Sequence, residues 1–210
     1  MKLIIGIDEA GRGSLAGPLT LSIFAAPQNL RNKLIKILGG KIKDSKKISP
    51  ENREKIYKEF LRLRKANQID FNVAHTTNII IDRRGISYAT KLGIKKCLNK
   101  LEHTNCGKEG SPSSFEKCGV IRLDGLLKAP EKYKNQKTII GGDEKNIFIA
   151  CASVVAKVRR DRLMCRYAKK FSQYSFEIHK GYGTALHYKL LKKHGLSILH
   201  RRSFLKKLIK

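Results

Sequence analysis

Short apolar runs and longer stretches with helical spacing take turns along this chain. Lys2–Asp8 is nearly continuous in apolar character, which predicts a strand buried on both faces. Glycines and Pro18 then break the chain, and Leu19–Ala26 reads as a second strand. Ser49-Pro50 supplies a capping hydroxyl followed by proline at a first helical position. Ile56, Phe60 and Leu63 follow at helical spacing among charged neighbours. Ile69–Ala74 predicts a third strand, and Gly85–Glu102 a helix with Ile86, Ala89, Gly93 and Cys97 facing inward. His103–Cys118 is polar and rich in Gly, Ser and Lys, and reads as a surface loop. Val120–Asp124 and Thr138–Ile140 predict two more short strands. Ile147–Phe171 is the clearest helix, with Ile147, Cys151, Val154, Val155 and Val158 on one side, and a helical tail begins near Ala185. No internal repeat is present. Strands and helices mixed through one unit predict the α/β class.

At 210 residues the chain suits one domain, and its 41% hydrophobic content is enough for a core. No apolar run approaches the ~18 residues that cross a bilayer. The opening MKLIIGIDEA starts like a signal peptide, but Asp8 and Glu9 interrupt it too early, so a cytoplasmic protein without a membrane partner is expected. The net charge of +28, from 45 Lys and Arg against 17 Asp and Glu, attracts polyanions, nucleic acid first among them. An AT-rich genome enriches Lys in the same way, so charge alone says nothing about catalysis. The five cysteines include no C-x-x-C. His103, Cys106 and Cys118 are close in sequence but lack a fourth zinc ligand, and reduced thiols are expected.

Acidic residues are scarce, which makes those at strand ends informative. Asp8 and Glu9 end the first strand and run into Gly11-Arg12-Gly13. Asp124 ends a strand at Leu123-Asp124-Gly125, and Asp143 follows Gly141-Gly142 just before the long helix. Three strand ends thus deliver carboxylates to loops, where open α/β sheets carry their sites. Neighbours on a strand point to opposite faces, so the chain is expected to leave β structure near Glu9 if both acids serve one site. Four gathered carboxylates repel one another unless divalent cations compensate. Magnesium takes oxygen ligands together with substrate phosphate, and two such ions can activate a water and stabilise a leaving oxygen of a phosphodiester.

Read in order, Gly6–Pro18 (GIDEAGRGSLAGP), Lys43–Glu54, Leu123–Gly125, Gly141–Met164, His179–Thr184 (HKGYGT) and His200–Phe204 (HRRSF) make this sequence resemble ribonuclease HII, the type 2 ribonuclease H family. The segments span nearly the whole chain. The resemblance implies a ribonuclease H-like fold: a mixed five-stranded sheet flanked by helices, a core over about residues 1–184 and a short helical C-terminal portion over about 185–210. It also implies an endonuclease acting on RNA–DNA hybrids and on ribonucleotides embedded in duplex DNA, leaving 5′-phosphate and 3′-hydroxyl ends. By motif position Asp8, Glu9, Asp124 and Asp143 match metal-binding catalytic carboxylates for two Mg²⁺ or Mn²⁺ ions. Gly11, Arg12 and Gly13 match a loop whose backbone reads the ribose 2′-hydroxyl, the group that separates RNA from DNA. Tyr182 resembles a tyrosine packed on the sugar, and Ser45 and Lys46 resemble a phosphate-contacting element. A monomer is expected. Type III relatives carry a further N-terminal domain, and a first motif starting at Gly6 favours type II.

Some positions depart from the family pattern. Cys151 stands where a small alanine is common, Glu144 where a neutral polar residue is frequent, and Gly85 where asparagine often follows the Ile81-Asp82 pair. Two other classes account for parts of the sequence. A non-catalytic basic RNA-binding protein explains the charge but gives the four acids no role. Another nuclease or a resolvase with a ribonuclease H-like fold would act on DNA lacking any ribonucleotide.

Overall fold

All five expected strands form, and they join one mixed sheet in the order β3-β2-β1-β4-β5. The computed structural model describes residues 2–42, 47–105 and 119–206, with 103–105 described by backbone only. Ser45, Lys46, Cys106, Cys118 and the side chain of His103 lie outside the described residues. The elements are β1 (Leu3–Ala10), β2 (Leu19–Pro27), α1 (Arg31–Ile37), α2 (Pro50–Lys65), β3 (Asp70–Thr76), α3 (Asn78–Asn105), β4 (Gly119–Asp124), β5 (Gln136–Ile139), α4 (Gly142–Lys145), α5 (Ile147–Lys170), α6 (Phe176–His179) and α7 (Ala185–His194). Among the described residues no helix is long and apolar enough to cross a membrane.

The near-continuous apolar run of β1 has the expected cause: the strand is central and covered on both faces. Ile4 packs with Phe24, α2 and α5 on one side, while Ile5 and Ile7 pack with Leu21, Ile23 and α3 on the other. Two glycines allow the close approach of helix to sheet. A Cβ on Gly6 would stand 2.0 Å from the Phe148 carbonyl oxygen of α5, and one on Gly93 of α3 would stand 2.6 Å from Leu21. The Ser49 hydroxyl accepts the Asn52 amide and Pro50 opens α2, as the sequence signature requires.

Three differences from the sequence reading have local causes. Helical structure before Gly85 went unpredicted because Ile79–Ile81 is β-branched and a poor intrinsic helix former. Gly85 itself sits at φ 80°, ψ 163°, a conformation open mainly to glycine, so α3 consists of two helical pieces with Gly85 at the break. Among the described residues the C-terminal portion is α-helical only through His194; Gly195 at φ 70° ends α7, and a short 3₁₀ turn follows at Arg202–Phe204. Finally, β1 ends at Ala10, just past Glu9, and both acids still lie in strand structure, with Glu9 paired to Leu21 and Ala10 to Thr20.

Candidate active site

β1, β4 and β5 run parallel, so their C-terminal ends lie along one edge of the sheet, where ligands of open α/β sheets bind. The register Ile7↔Leu123 sets Asp8 and Asp124 side by side on neighbouring strands. Asp143 arrives from α4, directly after β5, and the amide of Gly142 donates to Asp124 Oδ1 at 2.7 Å. Asp8, Glu9, Asp124 and Asp143 all line one cavity of about 860 Å³, together with Gly11, Arg12, Gly13 and Tyr182. Strand alternation still puts Asp8 and Glu9 on opposite faces; they share the cavity because it opens across the end of the sheet.

Asp8 is almost fully buried and its carboxyl pKa is raised well above the usual aspartate value. Burial is the main cause, and the nearby charges of Asp124 and Glu9 add to it. The Ser153 hydroxyl of α5 and the Glu9 amide, the latter at 2.7 Å, bind the carboxylate and pull the other way. Glu9 in turn accepts from Arg12 at 3.1 Å. The donor set is all oxygen, and divalent cations would offset the repulsion that raises Asp8, so these residues fit Mg²⁺ or Mn²⁺. Among the described residues no three His, Cys, Asp or Glu side chains stand close enough to enclose an ion. Any cation bound here would take waters and substrate oxygens among its ligands, as magnesium commonly does.

The loop that follows β1 depends on its glycines. Gly11 is at φ 85°, and a Cβ there would meet Arg160 Nε at 2.0 Å. Arg12 and Gly13 are exposed beside the cavity. Tyr182 is half-buried, with the Arg160 guanidinium 5.1 Å and the Lys157 ammonium 5.4 Å from its ring centre. Lys47 also reaches the cavity and pairs with Glu144 at 2.5 Å, so the unusual negative charge at position 144 is answered locally. Cys151, the other departure described here, is a fully buried thiol of α5 whose pKa is raised by burial.

Beneath Tyr182 lies a group of histidines that sequence reasoning missed. His179 Nδ1 accepts the Gly181 amide at 3.1 Å, and its Nε2 meets the Tyr174 carbonyl at 2.7 Å. His187 Nδ1 meets the Tyr182 carbonyl at 2.9 Å, His187 Nε2 meets His200 Nε2 at 3.1 Å, and His200 Nδ1 accepts the Ser197 amide at 2.8 Å. One assignment of protons satisfies all of these: His179 and His200 carry theirs on Nε2 and His187 on Nδ1. All three rings are then neutral. Burial lowers their pKa values, to about 4 for His187 and for His200. Ser153, Lys157, Arg160 and Arg201 were also missed. A polar residue on the buried face of a helix was the available signal for Ser153 and Arg160.

The ribonuclease HII family model matches residues 5–207. The chain belongs to the ribonuclease HII family. It is 39% identical to a ribonuclease HII of Caldicellulosiruptor bescii over 208 residues, covering 99% of this chain and 89% of that protein. It is 40% identical to one of Prochlorococcus marinus over 204 residues, covering 97% and 89%. Solved structures share the fold. Ribonuclease H2 from Pyrococcus horikoshii aligns with a TM-score of 0.69 at 23% identity, over 98% of this chain and 96% of that one. An Archaeoglobus fulgidus ribonuclease HII solved in complex with PCNA aligns at 0.71 and 24%, over 99% and 95%. Bst-RNase HIII in complex with Mn²⁺ aligns at 0.71 and 17%, over 99% of this chain and 69% of that one. The chain is accordingly a nuclease, a hydrolase of the ribonuclease H type.

Proposed function

We propose that this chain is a divalent-metal-dependent endonuclease that cuts the RNA strand of RNA–DNA hybrids and cuts duplex DNA at embedded ribonucleotides. The observation that carries this reading is the meeting of Asp8, Glu9, Asp124 and Asp143 on one cavity rimmed by Gly11–Gly13 and Tyr182. The Mn²⁺ complex of a relative with the same fold supports the choice of cation. Residues 1–210 act as one catalytic domain, a monomer in the cytoplasm.

Asp8, Glu9, Asp124 and Asp143 would hold two Mg²⁺ or Mn²⁺ ions. Those ions supply a more acidic attacking water and charge stabilisation for the departing 3′-oxygen. The protein does the remaining work. Ser153 and the Glu9 amide fix the carboxylate of Asp8, and the Gly142 amide fixes that of Asp124. Gly11–Gly13 and Tyr182 position the ribose at the scissile bond, and glycine lets the backbone come close to the sugar. Lys47, paired with Glu144, and Lys157, paired with Asp161, line the cavity where the phosphate backbone would pass, and Ser45 and Lys46 contact a phosphate in the same reading. Hydrolysis leaves 5′-phosphate and 3′-hydroxyl ends.

The test is Asp124→Asn, which keeps size and shape but removes the charge. Hybrid binding and the circular dichroism spectrum are expected to persist while Mn²⁺-supported cleavage disappears. Wild-type turnover by this variant would remove Asp124 from the mechanism.

A further inference from the structure

Among the described residues, the two largest fully buried side chains are both arginines, Arg160 of α5 and Arg201 of the C-terminal segment. Each is 0% exposed, and neither forms a salt bridge among the described residues. Burying a cation without an adjoining carboxylate is expensive, and an apolar side chain of similar volume would serve packing better. Their hydrogen bonds show what they do instead. Arg160 donates to the carbonyls of Ala16, Pro18 and Lys180 and to the Ser14 hydroxyl. Arg201 donates to the carbonyls of Gly11, Arg12 and Gly17 at 2.8, 2.8 and 3.0 Å. Six of these seven bonds end on main-chain oxygens, and all but the one to Lys180 end on the loop between β1 and β2.

The direction of the Arg201 bonds matters. No peptide bond here is cis. In a trans peptide the carbonyl and the N–H point opposite ways. Drawing the Gly11 carbonyl inward therefore turns the Arg12 N–H outward, and drawing in the Arg12 carbonyl does the same for the Gly13 N–H. Both residues line the carboxylate cavity. Neither amide is used in a hydrogen bond among the described residues.

We infer that Arg201, braced by Arg160, is the positioning residue for ribose recognition: its guanidinium fork holds two adjacent carbonyls back so that the Arg12 and Gly13 amides present a paired donor to the nucleotide. The inference rests on the reading under Proposed function and extends it to residues that never touch substrate. Shape carries the effect as well as charge. A lysine ammonium is a point donor and cannot reproduce a planar fork bonded to three carbonyls.

The experiment measures binding in an Asp124→Asn background, where cleavage does not interfere. The two probes are a DNA duplex with one ribonucleotide and the same duplex made entirely of DNA. Adding Arg201→Met should reduce the preference for the ribonucleotide by about 5- to 30-fold, the loss of one to two hydrogen bonds' discrimination. Arg201→Lys should fall in between. Leu191→Ala, a cavity in the same C-terminal core cluster, should lower Tm yet keep the parent preference, which separates positioning from general destabilisation. Should Arg201→Met fail to fold, Arg201→Lys and Ser14→Ala, which removes an acceptor of Arg160, decide. Folded Arg201 variants with the parent's preference would overturn the inference. A parent with no preference at all would instead overturn the proposed function.

Discussion

Gly142 donates its amide to Oδ1 of Asp124 at 2.7 Å, tying the strand end that carries one acid to the turn that carries another. A Cβ at position 142 would stand 3.2 Å from that oxygen and 2.6 Å from Ile149 Cδ1. Gly142→Ala should therefore displace Asp124 without removing any carboxylate. Hydrolysis is expected to fall roughly 10- to 100-fold, the usual loss when the partner of a metal-binding side chain is disturbed. Circular dichroism should stay unchanged. Full activity in this variant would mean that Asp124 is placed by something other than the Gly142 amide.

Asp8 tests the electrostatics. Its pKa is raised by burial and then by Asp124 and Glu9. A raised carboxyl pKa means that the folded state binds the proton more tightly than the unfolded chain does. The ionised form then costs stability at neutral pH, and this cost disappears as pH falls through the folded pKa toward the ordinary value of 3.8. In the presence of chelator at pH 8, Asp8→Asn should melt higher than wild type, by about 2–4 °C for each 1 kcal/mol relieved. The gap should shrink as the buffer is made more acidic. Added Mn²⁺ should raise Tm of the wild type and leave that of Asp8→Asn nearly unchanged. A lower melting temperature for the variant at pH 8 would contradict the account.

The fold and the acids were largely readable from the sequence, because they rest on short-range signals. Continuous apolar runs marked β1 and β2, Ser49-Pro50 marked α2, and strand-end carboxylates in an acid-poor chain marked the cavity. What escaped was long-range. Arg201 meets Gly11 from 190 residues away, and His187 meets His200 across the turn that follows α7. In a chain with 45 Lys and Arg, nothing in composition distinguishes a buried arginine from an exposed one. The pairing of β1 beyond Glu9 was missed for another reason. Strand alternation separates neighbouring side chains within a sheet, yet at the strand end Asp8 and Glu9 both line one cavity.

The buried histidines predict an acid-sensitive C-terminal region. Burial holds His187 and His200 down to about 4, below the ordinary histidine value of 6.5. A depressed pKa means the folded state favours the neutral ring. Stability is therefore fully present above pH 6.5 and declines as pH falls toward 4. Urea unfolding across that interval should show ΔG rising with pH. The His200→Gln variant should show a shallower slope. Identical slopes for the two proteins would remove His200 from the effect.

Position 11 tolerates only glycine on two grounds, a φ of 85° and the Arg160 side chain 2.0 Å from any Cβ. The left-handed conformation alone costs about 1–2 kcal/mol for other residues. Gly11→Ala should lower Tm by several degrees and abolish hydrolysis of hybrids, whereas Gly13→Ala, with open space at its Cβ, should fold with wild-type stability. Equal melting temperatures for the two variants would contradict this packing.

The most direct measurement is digestion of three duplexes by one enzyme preparation: DNA carrying a single ribonucleotide, an RNA–DNA hybrid, and DNA alone, each with Mg²⁺, Mn²⁺ or chelator. Cutting of the first two is expected with divalent cation, with no cutting of the third and none of any in chelator. Cutting of the all-DNA duplex, or cutting of the hybrid that survives the chelator, would contradict it.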